Sequence, residues 1–310
     1  MINIIGKRYL YFVISLIVIV PGLVMLAVMT SNGSLPLAID FTGGSLLEVR
    51  FESAQPLPAD VIGLYEDLGV TDAKVQTTGE GSYVIRSSEL AEDVRGQVVE
   101  SLKNRFNSEV TVLRFESVGP TIGQEVTTRA GLAVGVAVLI VTFYLTFAFR
   151  GVPHAIRYGL CAILAMLHDV AVVFSLAAIG STFWGWQIDS LFLTALLTVI
   201  GFSVQDKVVV FDRIRENTGI FRRLPFETLV NHSIVQTLGR SINTQLMTVE
   251  FMLLALALFG GVTLREFAII LLVGLFSGTY SSIFIAAPVL VVWENREWRK
   301  LFGGRKEAAA

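Results

Sequence analysis

Six long apolar runs punctuate the chain, at about 9–29, 129–149, 157–179, 188–211, 244–260 and 267–292. Each approaches the roughly 20 residues that an α-helix needs to cross the hydrocarbon core of a bilayer, the fifth being the shortest. The pattern predicts six transmembrane helices. A long, mostly polar stretch separates the first run from the other five. Lys7 and Arg8 stand just ahead of the first run. That run exceeds the roughly 7–15 residues of a signal-peptide core. Ala27-Val28-Met29 also lacks the small-x-small pattern of a cleavage site, so the run reads as an uncleaved anchor.

The polar stretch has its own periodicity. Leu46–Phe51 alternates around Glu48 and Arg50, as a half-buried strand does. Over 58–69, Val61, Ile62, Tyr65 and Leu68 fall at helical spacing, with Gly69 as a stop. Ala73–Thr78 and Ser82–Ser87 flank Gly79-Glu80-Gly81, a hairpin signal. Residues 89–106 carry a stripe of Leu90, Val94, Val98 and Leu102, and Val110–Phe115 reads as a last strand. The order βαββαβ is that of the ferredoxin-like split fold, an α+β arrangement with one sheet face under two helices. The expected organisation is an N-tail and first span over 1–30 and an α+β domain with its connectors over 31–128. A five-helix membrane domain over 129–293 and a tail over 294–310 follow.

The basic residues orient this layout. Arg150 and Arg157 lie between the second and third runs. Arg213, Arg215, Arg222, Arg223 and Arg240 lie between the fourth and fifth, and Arg296, Arg299, Lys300, Arg305 and Lys306 follow the sixth. The two short connections on the opposite side carry only Arg265. The positive-inside rule then places both termini in the cytoplasm and residues 31–128 outside, in a periplasmic or extracellular space.

Composition agrees with lipid as the main solvent. Hydrophobic residues make up 53% of the chain and charged residues 16%, against roughly a quarter charged in soluble domains. A net charge of −2 points to no nucleic-acid partner. Cys161 is the single cysteine, and no Cys/His cluster has metal-ligand spacing. No nucleotide-binding loop or nucleophile–base set is present, so neither an enzyme nor a resident cofactor is expected.

Chemistry is expected where ionisable groups interrupt the spans. A charged side chain at mid-bilayer costs about 2.5–3.5 kcal/mol on insertion scales. Asp169 lies near the middle of the third run. An acid there, favoured in its neutral form by desolvation, would suit uptake and release of protons. His168 is adjacent and points roughly 100° away on a helix. Asp206 lies one to two turns inside the fourth run, which also has a seam of Thr194, Thr198, Gly201 and Gln205. Lys207 has an ordinary explanation, since its stem can carry the ammonium to the interface. Glu250, in the fifth run with Asn243 and Met247, is the third acid. Together the acids suggest a proton or cation path. Gly131 with Gly135, and Gly274 with Gly278 and Ser282, have the four-residue spacing of close helix contacts.

Two segments carry a family likeness. One is Asp40-Phe41-Thr42-Gly43-Gly44. The other runs from Gly201-Phe202-Ser203-Val204-Gln205-Asp206 through Lys207 and Val208–Val210 to Phe211-Asp212-Arg213-Ile214-Arg215-Glu216-Asn217. With His168-Asp169, Ser117-Val118-Gly119-Pro120 and the one-plus-five layout of spans, the chain resembles the SecF family. These are the smaller membrane subunits of the SecD–SecF protein-export factor, within the resistance-nodulation-division superfamily. The resemblance implies an accessory subunit of the Sec translocase in the bacterial inner (cytoplasmic) membrane. Its implied partners are a separate SecD, the SecYEG channel and a translocating preprotein, with the proton gradient as driving force. It matches Asp169 and Asp206 to the family's acids of the third and fourth spans, and Arg213 and Arg215 to the basic end of the fourth-span motif.

The family often has Tyr-Ser-x-Asn-Asp followed by Thr or Ser, where this chain has Phe202-Ser203-Val204-Gln205-Asp206-Lys207. That departure bears on the number of protonatable groups and on the coupling ion, since some relatives use sodium. The rival readings are a small-molecule exporter of the same superfamily and a non-transporting scaffold for SecD.

Overall fold

The computed structural model describes residues 2–77, 81–90, 92–149, 155–245, 251–259 and 262–297. Thr78, Gly79 and Glu80 of the expected hairpin turn, Arg150 and Glu250 lie outside the described residues. The chain is mostly helical with one small antiparallel sheet, and it divides into two compact units. One comprises residues 1–35, 134–186 and 191–310, the other residues 36–133 and 187–190.

The smaller unit holds the sheet. Its strands are β1 (Gly44–Phe51), β2 (Lys74–Thr77), β3 (Ser82–Ser87) and β4 (Val110–Val118), in the spatial order β2-β3-β1-β4 with every pairing antiparallel. β1 therefore occupies a central position, with Leu47 opposite Ile85 on one side and Phe115 on the other. A bulge between Glu48 and Val49 shifts its register against β4. The strand alternation read from the sequence is realised. Leu47, Val49 and Phe51 share the buried face, while Glu48 accepts a hydrogen bond from the Ser82 hydroxyl and Arg50 is exposed. Two further helices contribute Val61, Leu64 and Tyr65 (Pro58–Asp67), and Val98 and Leu102 (Glu92–Phe106), to the same core. Phe51 meets Tyr83 and Phe106 edge-on, at ring-centroid distances of 5.2 and 5.6 Å.

The first of these helices stops as read. Gly69 takes a φ of +83°, and the Val70 amide donates back to the Tyr65 carbonyl at 2.8 Å, a geometry that costs glycine least. β4 runs three residues beyond the expected strand, through Ser117-Val118, because Ser45 and Ser117 face each other and their hydroxyls hydrogen-bond at 2.9 Å.

The larger unit is helical. Numbering helices in chain order, α1 is Arg8–Ser31, α2 the short Ile39–Thr42, and α3 and α4 the two domain helices above. Then come α5 (Pro120–Ala148), α6 (Ala155–Trp184), α7 (Ser190–Ile220), α8 (Phe226–Gln245), α9 (Phe251–Phe259), α10 (Val262–Ser281) and α11 (Ala287–Glu294). A π-turn over Ser282–Ala286 joins α10 to α11.

Among the described residues five helical stretches are long and apolar enough to span a membrane: Ile5–Ser31, Pro120–Ala148, Ile156–Trp184, Ser190–Ile220 and Leu264–Glu294. The expected run at 244–260 is not one of them. It falls on the end of α8, on residues outside the description, and on the nine residues of α9. α8 was not expected at all. Its pattern is amphipathic rather than apolar, burying Leu229, Val230 and Ile234 together with Asn231, Ser233, Thr237 and Ser241.

Small residues decide which helices touch. A methyl at Gly22 of α1 would lie 2.4 Å from Ser175 of α6, and the Ser175 hydroxyl donates to the Ile19 carbonyl at 2.9 Å. A methyl at Gly274 of α10 would lie 2.3 Å from Val199 of α7, and one at Gly278 would meet the Ser203 backbone at 3.3 Å. The small-residue spacing of the last span therefore marks a true close approach. At Gly131 and Gly135 a methyl would meet no described atom within 4 Å.

The first turn of the chain is fastened from far away. The Asn231 side-chain oxygen accepts the amides of Ile4 and Ile5 at 2.8 and 3.2 Å, and its NH2 donates to the Ile2 carbonyl at 2.9 Å. Arg8 forks onto both oxygens of Glu297, at 2.7 and 3.1 Å, and donates to Glu227 at 2.9 Å. Burial pushes the Glu297 carboxyl up, but hydrogen bonds from Asn295, Tyr9 and Arg8 outweigh that and hold it below the usual carboxylate range.

Tyr65 offers a test of the core of the sheet-bearing unit. Its ring is fully buried, and its hydroxyl finds no hydrogen-bond partner among the described residues. Burial pushes the phenol well above its ordinary value. Removing an unsatisfied buried hydroxyl relieves its desolvation, so Tyr65→Phe should stabilise this unit by about 1 kcal/mol. Calorimetry of the purified full chain would read the change. A destabilised unit would mean that the hydroxyl has a partner after all.

Candidate functional site

Helices α6, α7 and α10 converge on one buried carboxylate. Asp169 of α6 is fully buried, and so is Lys207 of α7. The Lys207 ammonium donates to Asp169 Oδ2 at 2.8 Å. The Ser203 hydroxyl, one turn before Lys207, donates to the same oxygen at 2.7 Å and accepts from the ammonium in turn. Lys207 completes its set on the Ser203 carbonyl at 3.2 Å. From α10, Ser277 donates to Oδ1 and Ser281 to Oδ2, each at 2.7 Å. His168 Nδ1 stands 3.1 Å from Oδ1.

The sequence suggested a desolvated acid and a lysine that escapes to the interface. The structure pairs the acid and corrects the second expectation, since Lys207 is buried. Lys207 lies one turn from Ser203 on the face where Gly274 and Gly278 let α10 approach α7, and its ammonium turns inward to Asp169. A buried charge is tolerated when paired and hydrogen-bonded. Here three serines, an ammonium and an imidazole supply the partners. Ser277 and Ser281 are the residues that sequence reasoning missed, and Ser203 entered it only as part of the family motif.

His168 also reaches further than expected. Its Nε2 lies 2.9 Å from the Ser15 hydroxyl of α1, and its ring stacks near that of Tyr280 at 6.1 Å. The Tyr280 hydroxyl donates to the Tyr11 carbonyl at 3.0 Å. With Asp169 ionised, the fitting tautomer carries its proton on Nδ1, donates to Asp169 and accepts from Ser15. The result is a string of exchangeable protons from Ser15 through His168 to Asp169 and Ser203.

Asp206 forms a second, separate centre. It is buried, with Oδ1 accepting from Ser241 of α8 at 2.7 Å and Oδ2 accepting from Ser282. Ser281 and Ser282 are neighbours at the start of the π-turn, yet they address different acids on different helices. π-turns are frequent at functional positions because they re-aim side chains that a regular helix would hold in register.

The motif residues at the end of α7 behave differently. Arg213 pairs with Glu216 and Arg215 with Asp212, the latter at 2.7 Å, each three positions apart on one helix and at least a third exposed. Such pairs contribute little to stability. Glu250, the third acid read from the sequence, is among the residues not described. No cluster of His, Cys, Asp and Glu with metal-binding geometry occurs among the described residues.

Comparison with known proteins places this geometry in a family. Residues 97–296 match the family described as protein export membrane protein SecD/SecF, C-terminal, and residues 35–55 match the SecD/SecF GG motif. The chain belongs to the SecD/SecF family. A protein translocase subunit SecF from Anaerolinea thermophila is 67% identical over 100% of both chains. A second from Thermobaculum terrenum is 44% identical over 100% of this chain and 99% of its own.

Among solved structures, the translocon-associated SecDF of Thermus thermophilus superposes with a TM-score of 0.80 at 32% identity, over 95% of this chain. SecDF in a super-membrane-facing form gives 0.66, also at 32% identity, over 97% of this chain. This chain spans 39% and 40% of those SecDF chains. The GG-motif match coincides with Asp40–Gly44, and the longer match covers Asp169, Ser203, Asp206, Lys207, the two α10 serines and the π-turn serine described above.

Because the pair is fully desolvated, cutting it on one side should be costly. Lys207→Ala leaves the Asp169 charge without its cation and should destabilise the helical unit by about 3–5 kcal/mol. The uncharged pair Asp169→Asn with Lys207→Met should recover most of that loss. Thermal unfolding of the full chain in detergent, run as a double-mutant cycle, measures both. Additive effects would show that the two groups do not interact.

Proposed function

We propose that this chain is a SecF-type accessory subunit of a bacterial Sec translocase, and that it couples the proton gradient to late movement of preproteins. A separate SecD would supply the remaining part of the machine, which would act beside the SecYEG channel. The observation that carries the coupling is the fully buried Asp169–Lys207 pair, met by hydroxyls from two helices and by His168. A proton delivered to Asp169 cancels its charge and leaves the Lys207 ammonium uncompensated in a low-dielectric interior. The helices must then repack to find it a new partner. Asp206, held by Ser241 and Ser282, lies on the same helix as Lys207 and offers a second station. A fixed ammonium already stands where a sodium ion would sit, which supports the proton as the coupling ion.

The rest of the layout follows the same reading. The expected sixth span over 244–260 belongs to it. The sheet order and the antiparallel pairings support a ferredoxin-like domain, and the basic connections support cytoplasmic termini with that domain outside. There it would hold the emerging preprotein.

One observation favours a second reading. The partners of Asp169 are so complete that the pair could serve only to lock the helices, making the chain a scaffold for SecD. Asp169→Asn separates the two. In inverted vesicles containing the chain and its SecD partner, coupling predicts loss of the gradient-dependent increment of export while SecD still co-purifies. An increment kept at its full size would sink the proton reading and leave the scaffold.

A further inference from the structure

Asp40 opens the family signature Asp40–Gly44, and its contacts give it a role. Its Oδ2 accepts the backbone N–H of Ser190 at 2.9 Å and also the Ser190 hydroxyl. Ser190 is the first residue of α7. The opening N–H groups of a helix have no partner within it, and a carboxylate at that end satisfies one and complements the positive end of the helix dipole. Asp40 thus caps a helix that begins 150 positions later.

The neighbouring backbone reinforces the contact. The Ile188 amide donates to the Pro36 carbonyl at 2.7 Å, and the Ala38 amide donates to the Ile188 carbonyl at 2.9 Å. The glycines that follow pin the same segment to the start of α5. Gly43 and Gly44 have φ of +75° and +117°. A methyl at Gly43 would lie 2.8 Å from Pro120 Cα, and one at Gly123 would lie 2.7 Å from the Gly43 nitrogen. The Thr127 hydroxyl donates to the Phe41 carbonyl at 3.0 Å. No side chain fits where these backbones cross.

We propose that Asp40 is a positioning residue for the proton-coupled step. It clamps Ser190, the first residue of α7, to the segment that leads into β1, and the same helix carries Ser203, Asp206 and Lys207. α7 is unbroken between Ser190 and Lys207, about 25 Å at the helical rise. One continuous helix therefore runs from the residue that Asp40 caps to Lys207. This role rests on the proton-coupling reading, and the experiment tells their failures apart.

Asp40→Ala, Asp40→Asn and Asp169→Asn would be compared in the full chain with its SecD partner, by two readouts. The first is hydrogen exchange of the Ser190 amide and the rest of that first turn. Removing a cap should speed exchange about fivefold in Asp40→Ala, whereas Asp40→Asn keeps an acceptor oxygen and stays near the parent rate. The second is export in vesicles with and without a proton gradient. Asp40→Ala should lose the gradient-dependent increment, as Asp169→Asn does, yet keep gradient-independent export; Asp40→Asn should recover most of the increment.

Unchanged exchange in Asp40→Ala, or an intact increment there while Asp169→Asn abolishes it, overturns the clamp. Equal loss of export with and without the gradient, or no rescue by asparagine, marks a merely structural contact and also overturns it. An intact increment in Asp169→Asn overturns the coupling reading itself, while exchange still reads the cap directly.

Discussion

A carboxylate and an ammonium, both removed from solvent, meet between α6 and α7 at 2.8 Å. Neither charge could remain in that interior alone, and so the surrounding helices are arranged to satisfy them. α10 must come close enough to place Ser277 and Ser281 on Asp169, which glycine at 274 and 278 permits. α1 must come close enough to place Ser15 on His168, which Gly22 permits at its crossing with Ser175. The polar cluster and the small residues form one design. The first sets where the helices have to be, and the second lets their backbones get there.

That design also explains why the cluster can work as more than a lock. Each serine hydroxyl carries a single proton and can turn it either way, and imidazole can exchange donor and acceptor sides. The centre is fully satisfied in one charge state and cannot be in the next. A fixed set of apolar contacts has no such property, because its energy does not depend on a proton. The second acid, on the same α7 rod but served by other serines, gives the arrangement two levels instead of one.

Much of this was readable in advance. Lipid demands long apolar helices, so four of the spans stand out at once in the hydropathy, and α10–α11 forms the last despite its π-turn. Alternation around Glu48 and Arg50 and the stop at Gly69 outlined the sheet-bearing unit, because a half-buried sheet imposes period two and a left-handed helix end calls for glycine. Asp169 announced itself by its expense. Lys207 did not, because a lysine near a span end has a cheap alternative, and its partner lies 38 positions away on another helix. Ser282 carried only a packing signal, and Ser277 and Ser281 carried none. The role of Asp40 depends on a contact across 150 positions, which no local pattern encodes. α8 escaped because its buried face is built from asparagine, serine and threonine as much as from leucine and valine.

The fastening of the first turn has a consequence for biosynthesis. Residues 2–8 are held by Asn231, Glu227 and Glu297, partners up to 289 positions downstream. During translation these partners do not yet exist when α1 enters the bilayer. The leading segment must therefore wait unfastened until residues 227–297 have been made. Its closure comes long after α1 is made, and a chain truncated before Glu297 would keep the Asn231 and Glu227 contacts but lose the forked grip on Arg8.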